Sequence, residues 1–200
     1  MLTFTRRAGE RIVIGHDIEI TVVDVGGGRV RLGVSAPRAV AIHRGEVVDR
    51  IEAENQRAIQ ASPGPAPEGE MAFTFRDGLF GLRAHTRFVP CDLDGARSLR
   101  LFVSEEDSTV RLVVADAATW FPGYPLEDAC TAAGVGVDDA IVGVILSIPG
   151  DGTEPSANLL APLVLSMATR TGVQVVLDAS GLSASAPLSE VANPALLAGV

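Results

Sequence analysis

Three arginines, Arg6, Arg7 and Arg44, carry the most readable chemistry in this chain. A guanidinium is a planar fork of donors that meets two phosphate oxygens, or the edge of a base, at once. All 16 basic residues are arginine, so every cationic contact here has that fork. GC-rich coding bias is the plain explanation, and the consequence holds whatever the cause. Paired arginines on an edge strand also have a bland use, as charges that block aggregation. Bond-making chemistry finds little support. There is no Gly-rich phosphate loop, no metal-spaced His/Cys/Asp cluster and no nucleophile elbow. His16, His43 and His85 are scattered, and Asp138-Asp139 reads as a solvated turn. Cys91 with His85 is the one conceivable thiol pair, and a core thiol is the simpler reading. The expectation is a protein that is not an enzyme, with no catalytic residue, no metal and no cofactor.

Charge divides the chain. Residues 1–57 hold nine Arg against eight Asp and Glu, a net of +1, while residues 58–200 carry a net of −10. Such asymmetry suggests two units with different partners. Cys91 and Cys130 lie in no paired motif, which fits two buried thiols in a reducing compartment. The start, MLTFTRRAGE, lacks the apolar core of a signal peptide. The longest apolar run, 140–148, is too short to span a bilayer. A cytoplasmic protein without membrane contact is expected.

The elements that must position these residues can be read from period and punctuation. Met1 to Arg7 is an extended start, and Arg11 to Ile14 is a second strand. Ile18 to Val25 and Arg29 to Val34 flank Gly26-Gly27-Gly28, a hairpin signal. Val30, Leu32 and Val34 alternate with Arg29, Arg31 and Gly33, one face in and one face out. Val40 to Arg44 makes a fifth short strand. The period then changes: Val47, Val48, Ile51, Asn55 and Ala58 form one stripe of a helix. Five strands and a helix give 57 residues a poor core, and so small a unit often dimerises. Residues 58–70 are rich in proline and glycine and read as a flexible linker, unlike an engineered Gly/Ser repeat. Beyond it, runs at 97–103, 109–115, 140–148, 159–166 and 172–178 read as strands, with one helix at 125–133. That spacing predicts a mainly β second unit over 71–182, an antiparallel barrel or sandwich. The tail 183–200 is expected to be loose.

The first unit resembles the carbon storage regulator family (CsrA, also called RsmA). The matching residues are Met1-Leu2, Thr5-Arg6-Arg7, Gly9-Glu10, Ile14-Gly15, Val30 to Gly33, Ala36-Pro37 and His43-Arg44. The second unit resembles the flagellar assembly factor FliW. The strongest stretch is Asn158 to Val164, then Thr169, Gly172 and Gln174 to Leu177. Phe75, Gly78, Leu79, Gly81, Arg87-Phe88-Val89, Val113 to Asp116, Phe121-Pro122 and Tyr124 add to it. The chain departs from the FliW pattern at Phe80, where proline is usual, and at Ser166, where asparagine is usual. It also lacks the basic residue expected near Thr171 or Val173. These departures bear on partner-facing detail.

The resemblance implies an intertwined, strand-swapped homodimer, in which the first strand of one chain lies beside the fifth of the other. Each RNA site would combine Leu2, Thr3, Phe4, Thr5, Arg6 and Arg7 of one chain with Val40, Ile42, His43, Arg44 and Val47 of its partner. The implied ligand is messenger RNA with GGA motifs in leader hairpins, bound so as to repress translation. Single-stranded loops suit such a surface. Arg44 is the first choice for a base or phosphate contact, with Arg6 and Arg7 as electrostatic anchors. Phe4, where leucine is usual, packs either in the core or against a base. His43 is either an RNA neighbour or a turn hydrogen-bonder.

FliW-type proteins are the antagonists of CsrA-type proteins and also bind flagellin, so the resemblance implies a regulator fused to its own antagonist. Partner-binding candidates are Val48, Ile51 and Asn55 on the helix, with Asn158 and Leu159 in the second unit. Asn55 has a second reading as a helix cap. A 13-residue flexible linker spans roughly 20 Å, which sets an effective concentration on the order of millimolar. RNA binding would then be self-inhibited until flagellin captures the second domain, with docking in the same chain or between chains. The alternative is a flagellin-binding assembly factor or chaperone whose RNA unit is inactive.

Overall fold

The computed structural model describes residues 1–37, 40–59, 71–93 and 98–197. It divides into two compact units at Ile42/His43. The helix expected to close the first unit therefore belongs to the second, and the unit boundary lies near residue 42 rather than 57.

The first unit is an antiparallel meander of β1 (Arg11–Ile14), β2 (Ile18–Gly26) and β3 (Arg29–Ser35). Gly27 and Gly28 both have positive φ and form the two-residue loop between Gly26 and its partner Arg29. That backbone is open to glycine and matches the right-handed twist of the flanking strands. Among the described residues, the expected outer strands at 1–7 and 40–44 are not strands. The apolar face of β3 is also uncovered: Val30, Leu32 and Val34 are 58%, 54% and 42% exposed. Alternation sorted the side chains to one face, but the described residues of this unit supply no layer to bury that face.

The second unit opens with α1 (Gly45–Arg57). Its buried positions, Val47, Ile51, Glu54 and Asn55, keep helical spacing along one stripe. Glu46 in the first turn and Arg57 in the last complement the helix dipole. The chain remains ordered beyond the helix. Ala58 is fully buried, and Ile59 forms an isolated bridge with Leu112. The expected linker thus starts no earlier than residue 60, and 60–70 lie outside the described residues.

Then follow β4 (Phe73–Phe75), β5 (Arg87–Asp92), β6 (Leu99–Ser104), β7 (Arg111–Asp116), α2 (Ala117–Trp120), α3 (Leu126–Ala133), β8 (Ala140–Ser147), β9 (Ser156–Ala157), β10 (Leu163–Ser166), β11 (Thr171–Gln174), β12 (Ala186–Pro187) and α4 (Leu188–Val191). Strands β4, β5, β6, β7, β8, β10 and β11 close into a seven-stranded barrel through the β8–β10 pairing. All its pairings are antiparallel except β4–β11, where Thr74 and Phe75 lie beside Thr171 and Gly172 in parallel. Period-two alternation builds two cores from the same strands. Leu112, Val114, Ile145, Leu163 and Leu165 join Phe73, Phe75, Phe88 and Phe102 inside the ring. Val113, Ala115, Val144, Leu146 and Val164 face outward beneath Trp120, Phe121, Ala129 and Cys130. Burial on both faces explains why the β8 sequence is an unbroken apolar run.

The tail departs from the expectation of a loose end. Strand β12 pairs with β9, and Ala184, Ala186, Leu188 and Ala192 are buried. Small alanines read as low-order composition, yet they fit a close approach to the barrel. Residues 198–200 lie outside the described residues.

Candidate functional site

The site grows from the buried stripe of α1. Val47 and Ile51 pack with Leu160, Ala161 and Ala184, and half-buried Phe80 and Val176 join them. Burying each of the two helix side chains stabilises the seated helix by roughly 1.5–3 kcal/mol. Gly81 lets the barrel loop approach the helix: its φ is +73°, and a β-carbon there would lie 3.1 Å from the Glu52 carbonyl oxygen and 3.3 Å from its Cα.

One turn further along, apolar packing gives way to a closed polar network. The Asn55 amide donates to Gln174 Oε1 and to the Phe80 carbonyl, both at 2.9 Å. Gln174 Nε2 donates back to Asn55 Oδ1 at 3.3 Å and to the Ala161 carbonyl at 3.0 Å. Asn158 Nδ2 donates to the same Asn55 oxygen at 3.3 Å, and Asn158 Oδ1 accepts from the Ala161 N–H at 3.1 Å. Every donor and acceptor of Asn55 is matched, which removes the penalty for burying an amide. Beside it, the buried Glu54 carboxylate accepts from Ser156 Oγ at 2.8 Å, Ser185 Oγ at 3.3 Å and Arg57 at 3.0 Å.

At the other end of the helix, Arg44 holds the N-cap position with an extended backbone and no side-chain cap. Its guanidinium meets Asp178 as a fork, Nε donating to Oδ2 at 3.0 Å and Nη2 to Oδ1. The Arg44 hydrogen bond holds the Asp178 carboxyl below the usual carboxylate range against the opposing effect of desolvation, and the charges of Arg44, His43 and Arg50 act in the same direction as the hydrogen bond. The pair is exposed, with 62% and 33% of the two side chains open to solvent.

Comparison with known proteins matches each part of the chain to a family. Residues 1–53 match CsrA, the global regulator protein family. Translational regulator CsrA of Leifsonia xyli subsp. xyli is 54% identical over 71 residues, which are 36% of this chain and 81% of that protein. Translational regulator CsrA of Leptospira biflexa is 41% identical over 76 residues, 38% of this chain and 96% of that protein. Residues 65–188, more than half the chain, match the FliW protein family. The chain belongs to both families, CsrA first and FliW after it. A crystal structure of the flagellar assembly factor FliW shares the fold, with a TM-score of 0.54 and 22% identity over 64% of this chain and 94% of that one.

With the families in hand, the expected site residues sort into three groups. Leu2, Thr3, Phe4, Thr5, Arg6, Arg7, Val40 and Ile42 belong to the CsrA meander and are all exposed. Phe4 is not in a core; the Arg6 guanidinium lies 5.5 Å from its ring centroid. His43, Arg44 and Val47 belong with the FliW barrel. His43 meets Phe80 edge-on at 6.1 Å between ring centres. Val47, expected at the RNA surface, is buried under α1, whereas Val48 lies outside the apolar cluster that seats the helix. One residue of helical rotation separates the two, and the barrel selects Val47. Asn55 is no cap, since the C-cap is Ala58.

On the FliW side Asn158 joins the network, but Leu159 points the other way into the barrel's outer core, and Leu160 takes the place beside the helix. Leu159 also offers its carbonyl to the Tyr124 hydroxyl at 2.6 Å, and burial pushes that phenol's pKa upward. Gln174, Phe80 and Asp178 were not anticipated as site residues. A glutamine inside an otherwise apolar Val-Gln-Val-Val run was the available signal for Gln174. The Phe80 departure from the FliW pattern falls at the helix-facing loop. Nothing local marks Asp178.

Proposed function

We propose that this chain is a translational regulator whose CsrA unit binds GGA-containing hairpins in messenger RNA leaders, and whose FliW unit holds it off. The observation that carries the reading is the seating of α1, the helix that follows the CsrA strands, on the FliW barrel through the Asn55–Gln174 amide pair. Leu2 to Arg7, Val40, Ile42, His43 and Arg44 supply the RNA surface in this reading, with Val47 available only after the helix leaves the barrel. Val48, Ile51, Asn55, Asn158 and Leu159 were the expected partner contacts. The geometry favours Val47, Ile51, Asn55, Asn158 and Leu160.

The active form is a strand-swapped homodimer. The uncovered face of β3 and the unpaired segments at 1–7 and 40–44 support it, because a second copy would supply both a sheet partner and a core. Flagellin is the releasing ligand: by occupying the FliW unit it frees the helix and the RNA surface. Docking within one chain makes repression the exception, available only when flagellin is plentiful enough to compete with a tethered helix.

The test compares GGA-hairpin binding by the full chain and by Gln174→Ala at one fixed salt concentration, since affinity depends steeply on salt. Weak binding by the wild type and tight binding by the variant is the expected result, with added flagellin bringing the wild type towards the variant. If neither protein binds the hairpin while the wild type still binds flagellin, the reading of an assembly factor with an inactive RNA unit replaces this one.

A further inference from the structure

We propose that Asp178 of the FliW unit is an intramolecular stand-in for an RNA phosphate, covering Arg44 directly whenever α1 is seated. The inference rests on the reading above, and it names the residue that turns helix docking into loss of RNA binding.

Both ends of the pair are held by backbone. Arg44 begins α1, its carbonyl accepting from the Val47 and Val48 N–H groups at 3.0 and 3.1 Å. The helix is fixed in turn by buried Val47, Ile51 and Asn55. Asp178 starts a short 3-10 turn immediately after buried Leu177. Leu177 donates its N–H to the Leu160 carbonyl at 2.9 Å, and the Ser180 N–H closes the turn onto the Leu177 carbonyl at 3.0 Å. The same segment, Leu160-Ala161, packs on Val47 and Ile51. One strip of barrel backbone therefore seats the helix and aims the carboxylate.

The contact has the form of a phosphate contact. Two coplanar oxygens meet Nε and Nη2 of one guanidinium, the fork geometry shared by carboxylate and phosphate. Arg50 acts on the same carboxylate in the same direction through its charge, a smaller effect than the Arg44 contact. RNA must displace the carboxylate to reach Arg44, and apparent affinity falls by the fraction of molecules in which the pair is closed. Because the pair is solvent-exposed, it exchanges readily and adds little to holding the helix. Asp178 thus blocks the RNA site without acting as the latch; the amide network is the latch.

The experiment uses the full chain and measures GGA-hairpin affinity over a series of salt concentrations for wild type, Asp178→Asn, Gln174→Ala and the double variant Arg44→Ala/Asp178→Asn. Hydrogen exchange of the α1 amides reports whether the helix stays seated. The expected result is that Asp178→Asn binds more tightly by a few-fold, on the order of five, with α1 still protected. Its plot of log affinity against log salt should be steeper by about 0.7, the increment for one added single-strand phosphate contact. Both gains should vanish in the double variant. An Asp178→Asn protein that binds like the wild type while Gln174→Ala binds tightly overturns the masking role and leaves helix docking as the inhibitory act. Tight binding by Asp178→Asn accompanied by lost α1 protection also overturns it, because Asp178 would then be part of the latch. Absence of hairpin binding by all four proteins removes the RNA reading itself.

Discussion

Asn55 and Gln174, 119 residues apart in sequence, face each other as a reciprocal amide pair: Nδ2 of one donates to Oε1 of the other at 2.9 Å, and Nε2 returns the bond to Oδ1 at 3.3 Å. One amide comes from a helix that begins within the CsrA match and the other from a FliW strand, so their pairing joins the two parts of the sequence in one folded unit.

Replacing Gln174 with leucine should therefore cost more than replacing a surface glutamine. Asn55 and the Phe80 N–H would lose their shared acceptor, Gln174 Oε1, in a dry setting. The expected destabilisation is about 1–3 kcal/mol for the stranded polar groups. Chemical denaturation measures it, and unchanged stability would show that water enters the network freely.

Gly81→Ala tests the approach of the helix without removing a polar group. The new methyl would need a left-handed backbone and would lie within 3.3 Å of Glu52 main-chain atoms. Hydrogen exchange across α1 should rise while protection in β7 and β8 holds, separating loss of docking from loss of the barrel. Equal protection in variant and wild type would show that the loop gives way at little cost.

Glu106 supplies a pH prediction in the barrel. Burial raises its carboxyl pKa. That is outweighed by hydrogen bonds from the Thr86 hydroxyl and N–H, the Ser104 hydroxyl and its own backbone, which bring it down to about 2. A folded-state pKa below the unfolded one contributes stability that is complete above the unfolded value and lost as pH falls through the folded one. Wild type should exceed Glu106→Gln in stability by a constant amount at neutral pH. The gap should narrow from about pH 4.5 and close towards pH 2, followed by thermal unfolding. A gap independent of pH over that range would mean the variant's loss is geometric rather than electrostatic.

The exposed face of β3 predicts association. Sedimentation of the full chain should give a species of twice the chain mass, and Leu32→Asp, placed in the middle of that face, should shift it to the single-chain mass. A monomeric wild type would remove the strand-swapped dimer from the proposed mechanism.

Local rules were enough for much of the architecture. Two adjacent glycines between β-branched runs specify the β2–β3 hairpin, because few other residues accept two successive positive φ values. The change from period two to period 3.6 after Arg44 specifies α1, and the unbroken apolar run of β8 specifies a strand buried on both faces. Family resemblance supplied the order of the two units and the importance of Asn55. It did not separate Val47 from Val48, or Leu160 from Leu159, because both members of each pair are apolar, and only the orientation of the seated helix and of the bend at Asn158 chooses between them. Short segments such as β4 and the two-residue β12 carry too few residues for a periodic signal, and only strand pairing and burial of Phe73, Phe75 and Ala186 in the barrel cores define them. The meeting of Arg44 with Asp178 depends on tertiary structure entirely. The two are 134 positions apart; His43-Arg44 is marked by its resemblance, but nothing in sequence marks Asp178 as its partner. What joins them is closure of a barrel whose one strip of backbone seats the helix and carries the carboxylate.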